Sequence, residues 1–108
     1  MARDDYEMPS FWKQPYEQFV IAANFGPDLA PEDGIIAEQS TVLARDKDGN
    51  DATSDVIVPE SLLVEGHLLK AMVKGGDPAL SPYVISFRCV TTASEAYELD
   101  VRMEVIER

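Results

Sequence analysis

The sequence predicts an all-β fold, an antiparallel immunoglobulin-like sandwich of about seven strands. The first observation is residues 83–106, where two segments alternate in hydrophobicity around a break at 92–95 and predict a β-hairpin. In residues 97–105 apolar side chains alternate with charged ones, which indicates one face in a core and one in water. The second observation is a series of short apolar runs at spacings of roughly 8–12 residues, separated by turn residues. A small β-barrel is the alternative.

The remaining strands are predicted from apolar runs bounded by Gly, Pro and Asp. We expect strands at 18–25, 35–44, 52–58, 61–65 and 67–74, and the Asp48-Gly49 step predicts a tight turn between the second and the third. Alternation also assigns the inward face. The predicted core residues are Phe19, Ile21, Tyr83, Ile85, Phe87, Leu99, Val101 and Met103.

Length and composition predict one folded domain preceded by an arm. With 108 residues and 45% hydrophobic content, the chain is near the size at which one core suffices. Residues 1–17 are expected to form an extended N-terminal arm, and residues 18–108 a single sandwich. The arm holds four of the chain's nine aromatic residues among prolines, which predicts a contact, either with a partner or with the end of its own sandwich. These candidate contact residues are Tyr6, Phe11, Trp12 and Tyr16.

The charge of the chain limits its partners. A formal net charge of −11 disfavours binding to nucleic acid or to an anionic membrane, because both would repel it. Residues 28–60 are the most acidic part. The single cysteine, Cys89, excludes an internal disulfide and favours cytosolic synthesis, and residues 1–10 lack the pattern of a signal peptide.

Asp46, Asp48 and Asp51 form the one weak candidate for a metal site. Closely spaced carboxylates suit calcium, but the register of a calcium loop is wrong, because Gly49 is fourth and the twelfth position is Ile57. A solvated Asp-Gly turn explains the same residues. We therefore predict no metal and no cofactor.

No catalytic set is evident in the sequence, so the chain is predicted not to be an enzyme. His67 is the only histidine, and Cys89 shares a strand face with apolar residues, which indicates a buried hydrophobe. Gly75-Gly76 lacks the Lys and Ser/Thr of a phosphate loop. Twenty carboxylates leave open a small hydrolase with a carboxylate pair, although no spacing selects such a pair.

Residues 72–107 resemble a family of small proteins from tailed bacteriophages and prophages, the Ig-like structural proteins of the fiber-tail adaptor type. The shared pattern is a strand ending in Gly75-Gly76, a loop, a Tyr83-led strand closing in Thr91-Thr92, and the alternating strand of residues 97–105. The N-terminal part is similar to the opening of the same family. Its matching residues are Lys13, Pro15, Phe19, Phe25 and Leu29.

The resemblance implies a non-enzymatic structural protein that works in virion assembly through protein–protein contacts. Its partners would be neighbouring virion or tail proteins and further copies of itself, and it would be made in the bacterial cytoplasm before joining a virion. Two alternatives of other classes stay open. One is a calcium-dependent or carbohydrate-binding surface module that uses the aspartates named above, and the other is the small hydrolase.

Overall fold

The computed structural model describes residues 8–108 and contains two β-sheets that share one core. The first sheet has the order β1 (Ser10–Lys13), β7 (Ala96–Val105), β6 (Tyr83–Val90), β3 (Thr41–Arg45). The second has the order β2 (Phe19–Asn24), β5 (Leu68–Val73), β4 (Leu63–Glu65). The β1–β7 pair is parallel, and the other strand pairs of the described residues are antiparallel. The predicted all-β sandwich is confirmed, and the sheets do not close into a barrel.

The core is built from alternate residues of both sheets. Of the predicted core, Tyr83, Ile85, Phe87, Leu99, Val101 and Met103 are buried. Ile21 is half-buried and packs against them. The prediction for Phe19 is wrong, because 36% of this residue is exposed. Phe19 begins an edge strand. Its ring packs edge-on against Phe11, with 5.9 Å between ring centroids, and no strand of the described residues pairs with the outer edge of β2.

The alternating hairpin is confirmed, since β6 and β7 pair from Tyr83↔Met103 to Val90↔Ala96. The strands predicted at 18–25, 61–65 and 67–74 correspond to β2, β4 and β5. The predicted tight turn is also present. There the Asp46 carbonyl accepts the Gly49 N–H at 3.0 Å, and Gly49 adopts a φ of 84°, which glycine tolerates at low cost.

Two predicted strands need correction. Residues 52–58 contain a short helix, α1 (Thr53–Val56), instead of a strand. The Asp51 carboxylate accepts hydrogen bonds from the N–H and the hydroxyl of Thr53, and this local bonding favours a helical turn over a strand. Of the strand predicted at 35–44, only the part from Thr41 onward is in β3, because Ala37–Gln39 form a 3₁₀ turn.

The two lateral sides of the sandwich differ. On the β3 side, the segment 46–62 with α1 lies against the strand edge, and Ala44 of β3 accepts a hydrogen bond from the Ala52 N–H at 2.8 Å and donates one to the Thr53 hydroxyl at 2.9 Å. Covering of this kind protects an edge strand from further pairing. On the other side β1 and β2 are the edge strands, and no described strand pairs with their outer edges.

Candidate functional site

A groove lies between edge strands β1 and β2, where the two sheets come together. Its cavity volume is about 420 Å³, within the range of protein binding sites. None of its lining residues is charged, although 27% of the chain is. The lining residues are Pro9, Ser10, Phe11, Trp12, Phe19, Ile21, Ala22 and Val101.

The backbone of β1 turns hydrogen-bonding groups toward the open side. The Pro9 carbonyl accepts from the Arg102 N–H, and the Lys13 carbonyl accepts from the Ile106 N–H, both at 2.9 Å. Odd-numbered residues of β1 therefore bond to β7. Because alternate residues of a strand direct their N–H and C=O groups to opposite sides, those of Ser10 and Trp12 point away from β7.

The same geometry holds for β2. The Phe25 N–H donates to the His67 carbonyl at 2.9 Å, and the register continues with Ala23 opposite Leu69. Odd-numbered residues thus face β5, and the backbone groups of Val20 and Ala22 point to the outer edge. The groove is therefore flanked by two strand edges with hydrogen-bonding capacity.

Exposed apolar side chains are concentrated around this groove. Of the seven large hydrophobic residues exposed among residues 8–108, six lie just before or on β1, on β2, between them, or just after β7. They are Met8, Trp12, Tyr16, Phe19, Val20 and Ile106, whereas the seventh, Leu63, lies on β4. Tyr16 is 98% exposed. Clustered exposure of this kind marks interaction surfaces more often than free surface.

The structure places two of the four predicted contact residues in this groove and a third beside it. Phe11 and Trp12 line it. Tyr16 belongs to a neighbouring shallow depression that shares Phe19 with the groove. The fourth, Tyr6, lies outside the described residues.

Lys13 fixes the end of β1 at the site. Its side chain is fully buried, and its ammonium group donates to the carbonyls of Gln14 and Gly75. Burial lowers the pKa of Lys13, and the nearby Glu17 carboxylate opposes this shift. A buried ammonium held by two carbonyls explains how a four-residue edge strand is tied to the loop after β5.

One cation lies at the outer rim of the groove. The guanidinium carbon of Arg108 is 5.1 Å from the ring centroid of Trp12, within the range of a cation–π contact. The contact places the Arg108 charge beside the indole ring, and Glu104 and Arg102 of β7 are the register partners of Trp12 and Ser10.

The aspartates of the weak metal candidate serve the local backbone. Asp46 Oδ1 accepts the N–H groups of Asp48 and Asn50 at 2.9 and 3.0 Å, and Asp51 Oδ1 accepts the Thr53 hydroxyl at 2.7 Å. The bonds from Thr53 lower the pKa of Asp51. Within residues 8–108 there is no group of three or more His, Cys, Asp or Glu side chains that could hold a metal ion.

The remaining candidate residues for catalysis, His67 and Cys89, have structural roles. His67 Nε2 donates to the Asp33 carbonyl at 2.8 Å, and Cys89 is buried in β6. A carboxylate pair does occur, Glu98 with Asp100, on the outer face of β7. The hydrogen bond from Arg88, at 2.6 Å, is the main cause of the lowered pKa of Glu98, and Asp100 adds to it. A general acid requires the opposite shift.

Sequence reasoning identified the aromatic rim but not the groove. Its floor combines Phe11, Ile21 and Val101, which come from three strands that only the fold brings together. One signal was present in the sequence. Residues 18–25 carry no charge, and Val20 and Ala22 are apolar at outward positions where a solvated strand would alternate.

The fold defines a class, a small two-sheet β-sandwich, and in the part that the structure describes a groove separates its edge strands β1 and β2. No helix among residues 8–108 has the length and the apolar character needed to cross a membrane. A scan against protein-family models and a search of the curated proteins both found no match to this chain.

Proposed function

We propose that this chain is a non-enzymatic structural protein of a tailed phage or prophage, and that it takes part in virion assembly through protein–protein contacts at the β1–β2 side. The observation that carries the contact is the cluster of exposed apolar residues around two strand edges with which no strand of residues 8–108 pairs. The resemblance of Gly75-Gly76 and the C-terminal hairpin to phage Ig-like proteins supports the virion context.

The residue types at the groove suit a contact surface. Trp and Tyr are enriched among residues that dominate binding energy, because their rings bury a large area at a small entropic cost. Trp12 is 48% exposed and Tyr16 is almost fully exposed, so a partner would remove considerable apolar surface from water. The partners would be neighbouring virion or tail proteins encountered after synthesis in the bacterial cytoplasm.

Nothing in the described residues favours the alternative functions. The carboxylates of Asp46 and Asp51 are engaged with their own loop, which reduces their capacity to bind calcium. The hydrogen bond from Arg88 lowers the pKa of Glu98, whereas a general acid needs a raised pKa. We therefore advance no second function.

The test combines particle composition with a matched pair of variants. Particles purified from the source bacterium after prophage induction should contain the chain at a fixed copy number by mass spectrometry. Trp12→Ser should prevent its incorporation, and Leu63→Ser, which changes a slightly more exposed residue on β4, should not. Both variants should keep the unfolding free energy within about 1 kcal/mol of wild type, because both side chains are half exposed.

Two results would contradict the proposal. Particles that contain no copy of the chain would remove the virion assignment. Normal incorporation of folded Trp12→Ser would remove the β1–β2 side as the contact surface.

A further inference from the structure

We propose that a cavity on the β3 side of the sandwich binds the side chain of an arginine from a partner protein. The cavity lies between β3 and the segment that follows α1, opposite the β1–β2 groove, and its volume is about 350 Å³. This volume is at the lower end of ligand sites and suits a single side chain. The inference goes beyond the proposed function, because it concerns a second surface and does not depend on the virion assignment.

The cavity combines an apolar wall with a polar rim. Val42 of β3, the buried Ile57 and the half-buried Leu62 supply the apolar surface. The exposed side chains of Asp51 and Glu60 supply two carboxylates, and no lining residue is basic. Such a lining suits a ligand that has an apolar stem and a cationic end, as an arginine or lysine side chain has.

The two carboxylates retain capacity for a further cation. Asp51 accepts both bonds from Thr53 at the same oxygen, Oδ1, and no described residue donates to its second oxygen. No ion pair of the described residues includes Asp51 or Glu60. A guanidinium group carries five N–H donors in a planar fork and can bond more than one carboxylate, which favours arginine over the point charge of lysine.

The basic residues nearest in sequence to the cavity do not line it. They are Arg45 and Lys47. Arg45 lies opposite Asp51 in an isolated β-bridge, but it acts with Arg88, the stronger cause, to lower the pKa of Glu98 on β7. This places the charge of Arg45 over the outer face of the first sheet, and the cavity keeps its negative charge.

The charge around the cavity selects the kind of occupant. Residues 28–60 contain nine acidic residues and two basic ones, so they attract a basic protein surface. A second copy of this chain, with its net charge of −11, would be repelled. A polyamine would place its inner charge against the apolar wall, and a calcium ion would need more oxygen ligands than two carboxylates supply.

NMR titration of the isotope-labelled full-length protein at physiological salt tests the inference. One probe is a blocked peptide with a single arginine between glycines, and a second carries citrulline, the uncharged isostere of arginine, at the same place. The arginine peptide should bind with millimolar affinity and shift the backbone amides within residues 51–62. The citrulline peptide should bind at least about tenfold more weakly, because it lacks the charge that strengthens hydrogen bonds to carboxylates.

A matched pair of variants separates the cavity from the general acidity of the segment. Glu60→Gln keeps the shape of the side chain, removes one charge and should weaken the arginine peptide at least about threefold. Glu38→Gln makes the same change in net charge at another exposed residue of the acidic segment, one that does not line the cavity. It should stay within about twofold of wild type, because a charge outside the cavity acts through screening solvent.

Four results with the peptides would overturn the inference. They are no saturable shift with the arginine peptide, shifts that map away from the cavity, equal binding of the citrulline peptide, and equal effects of Glu60→Gln and Glu38→Gln. Spermidine that shifts the same amides at lower concentration than the arginine peptide would also overturn it, in favour of a free polyamine. The proposed function is judged separately, because incorporation into particles and its loss in Trp12→Ser concern the opposite side of the sandwich.

Discussion

Gly76→Ala is expected to destabilise the fold by about 2–6 kcal/mol, because two separate costs add at this position. Gly76 has a φ of 97°, a conformation that residues with a side chain rarely adopt, and forcing it costs about 1–3 kcal/mol. In addition, a Cβ atom placed on Gly76 would lie 2.6 Å from Cγ2 of Val105. Val105 is buried at the end of β7, so relieving this overlap costs a further 1–3 kcal/mol or so.

The two costs can be measured apart. Gly49 has a similar φ of 84°, but a Cβ atom placed on it would meet no atom of a non-adjacent residue within 4 Å, so Gly49→Ala carries only the conformational cost. The difference between the two variants should therefore equal the overlap, about 1–3 kcal/mol. Val105→Ala removes the overlapping methyl groups. The double variant Gly76→Ala/Val105→Ala should thus lose about 1–3 kcal/mol less than the sum of the single losses.

Urea unfolding measures all four variants against wild type, with the midpoint as the readout and an unchanged m-value as the check on two-state behaviour. If Gly76→Ala costs no more than Gly49→Ala and the double variant is additive, the close approach of this loop to β7 is wrong.

Three further predictions concern the core, the sheet surface and the aspartate turn. Phe87→Ala should cost about 3–5 kcal/mol because the ring is fully buried, and Val20→Ala, at an exposed position, well under about 1 kcal/mol; equal losses in urea unfolding would mean that the faces are misassigned. The hydrogen bond from Arg88 lowers the pKa of Glu98, so this pair stabilises the fold at pH values above 4.5, the ordinary pKa of the group. The stabilisation is lost as the pH falls through the lower pKa of the folded state. Glu98→Gln should therefore be less stable than wild type by a few tenths to about 1 kcal/mol at neutral pH and equally stable in acid, and a pH-independent difference would refute this. Calorimetric titration with calcium should give no binding heat, and micromolar affinity abolished by Asp48→Ala would show the opposite.

How well each element could be predicted depended on the length of its regular pattern and on the distance along the chain to its partners. The hairpin of β6 and β7 was predictable because ten residues from Ala96 to Val105 alternate without interruption. Residues 52–58 were mispredicted because two hydrogen bonds, which the N–H and the hydroxyl of Thr53 donate to the Asp51 carboxylate, outweigh a weak apolar pattern. The strand β1 depends on a parallel partner some ninety positions along the chain, opposite Arg102 and its neighbours, and four residues carry no pattern that reveals such a partner.

The site divides in the same way. Trp12 and Tyr16 could be predicted as contact residues, because a high density of aromatic residues in a short N-terminal segment is visible in the composition. The groove could not be predicted, because it depends on which strands lie beside β1 and β2. The sequence pattern of a strand does not show whether a neighbouring strand will pair with its edge. Phe19 shows the connection, since its exposure contradicts the alternation of β2 and is explained only by the open edge.

The covering of one side by residues 46–62 limits how far any sheet built on this protein can grow. A sandwich with two bare sides could join to others in both directions and continue without end, as in a fibril. Here Ala44 already bonds to Ala52 and Thr53, so an added strand would extend the four-stranded sheet from its β1 end more readily than from its β3 end. Growth of that sheet is therefore directed to one end.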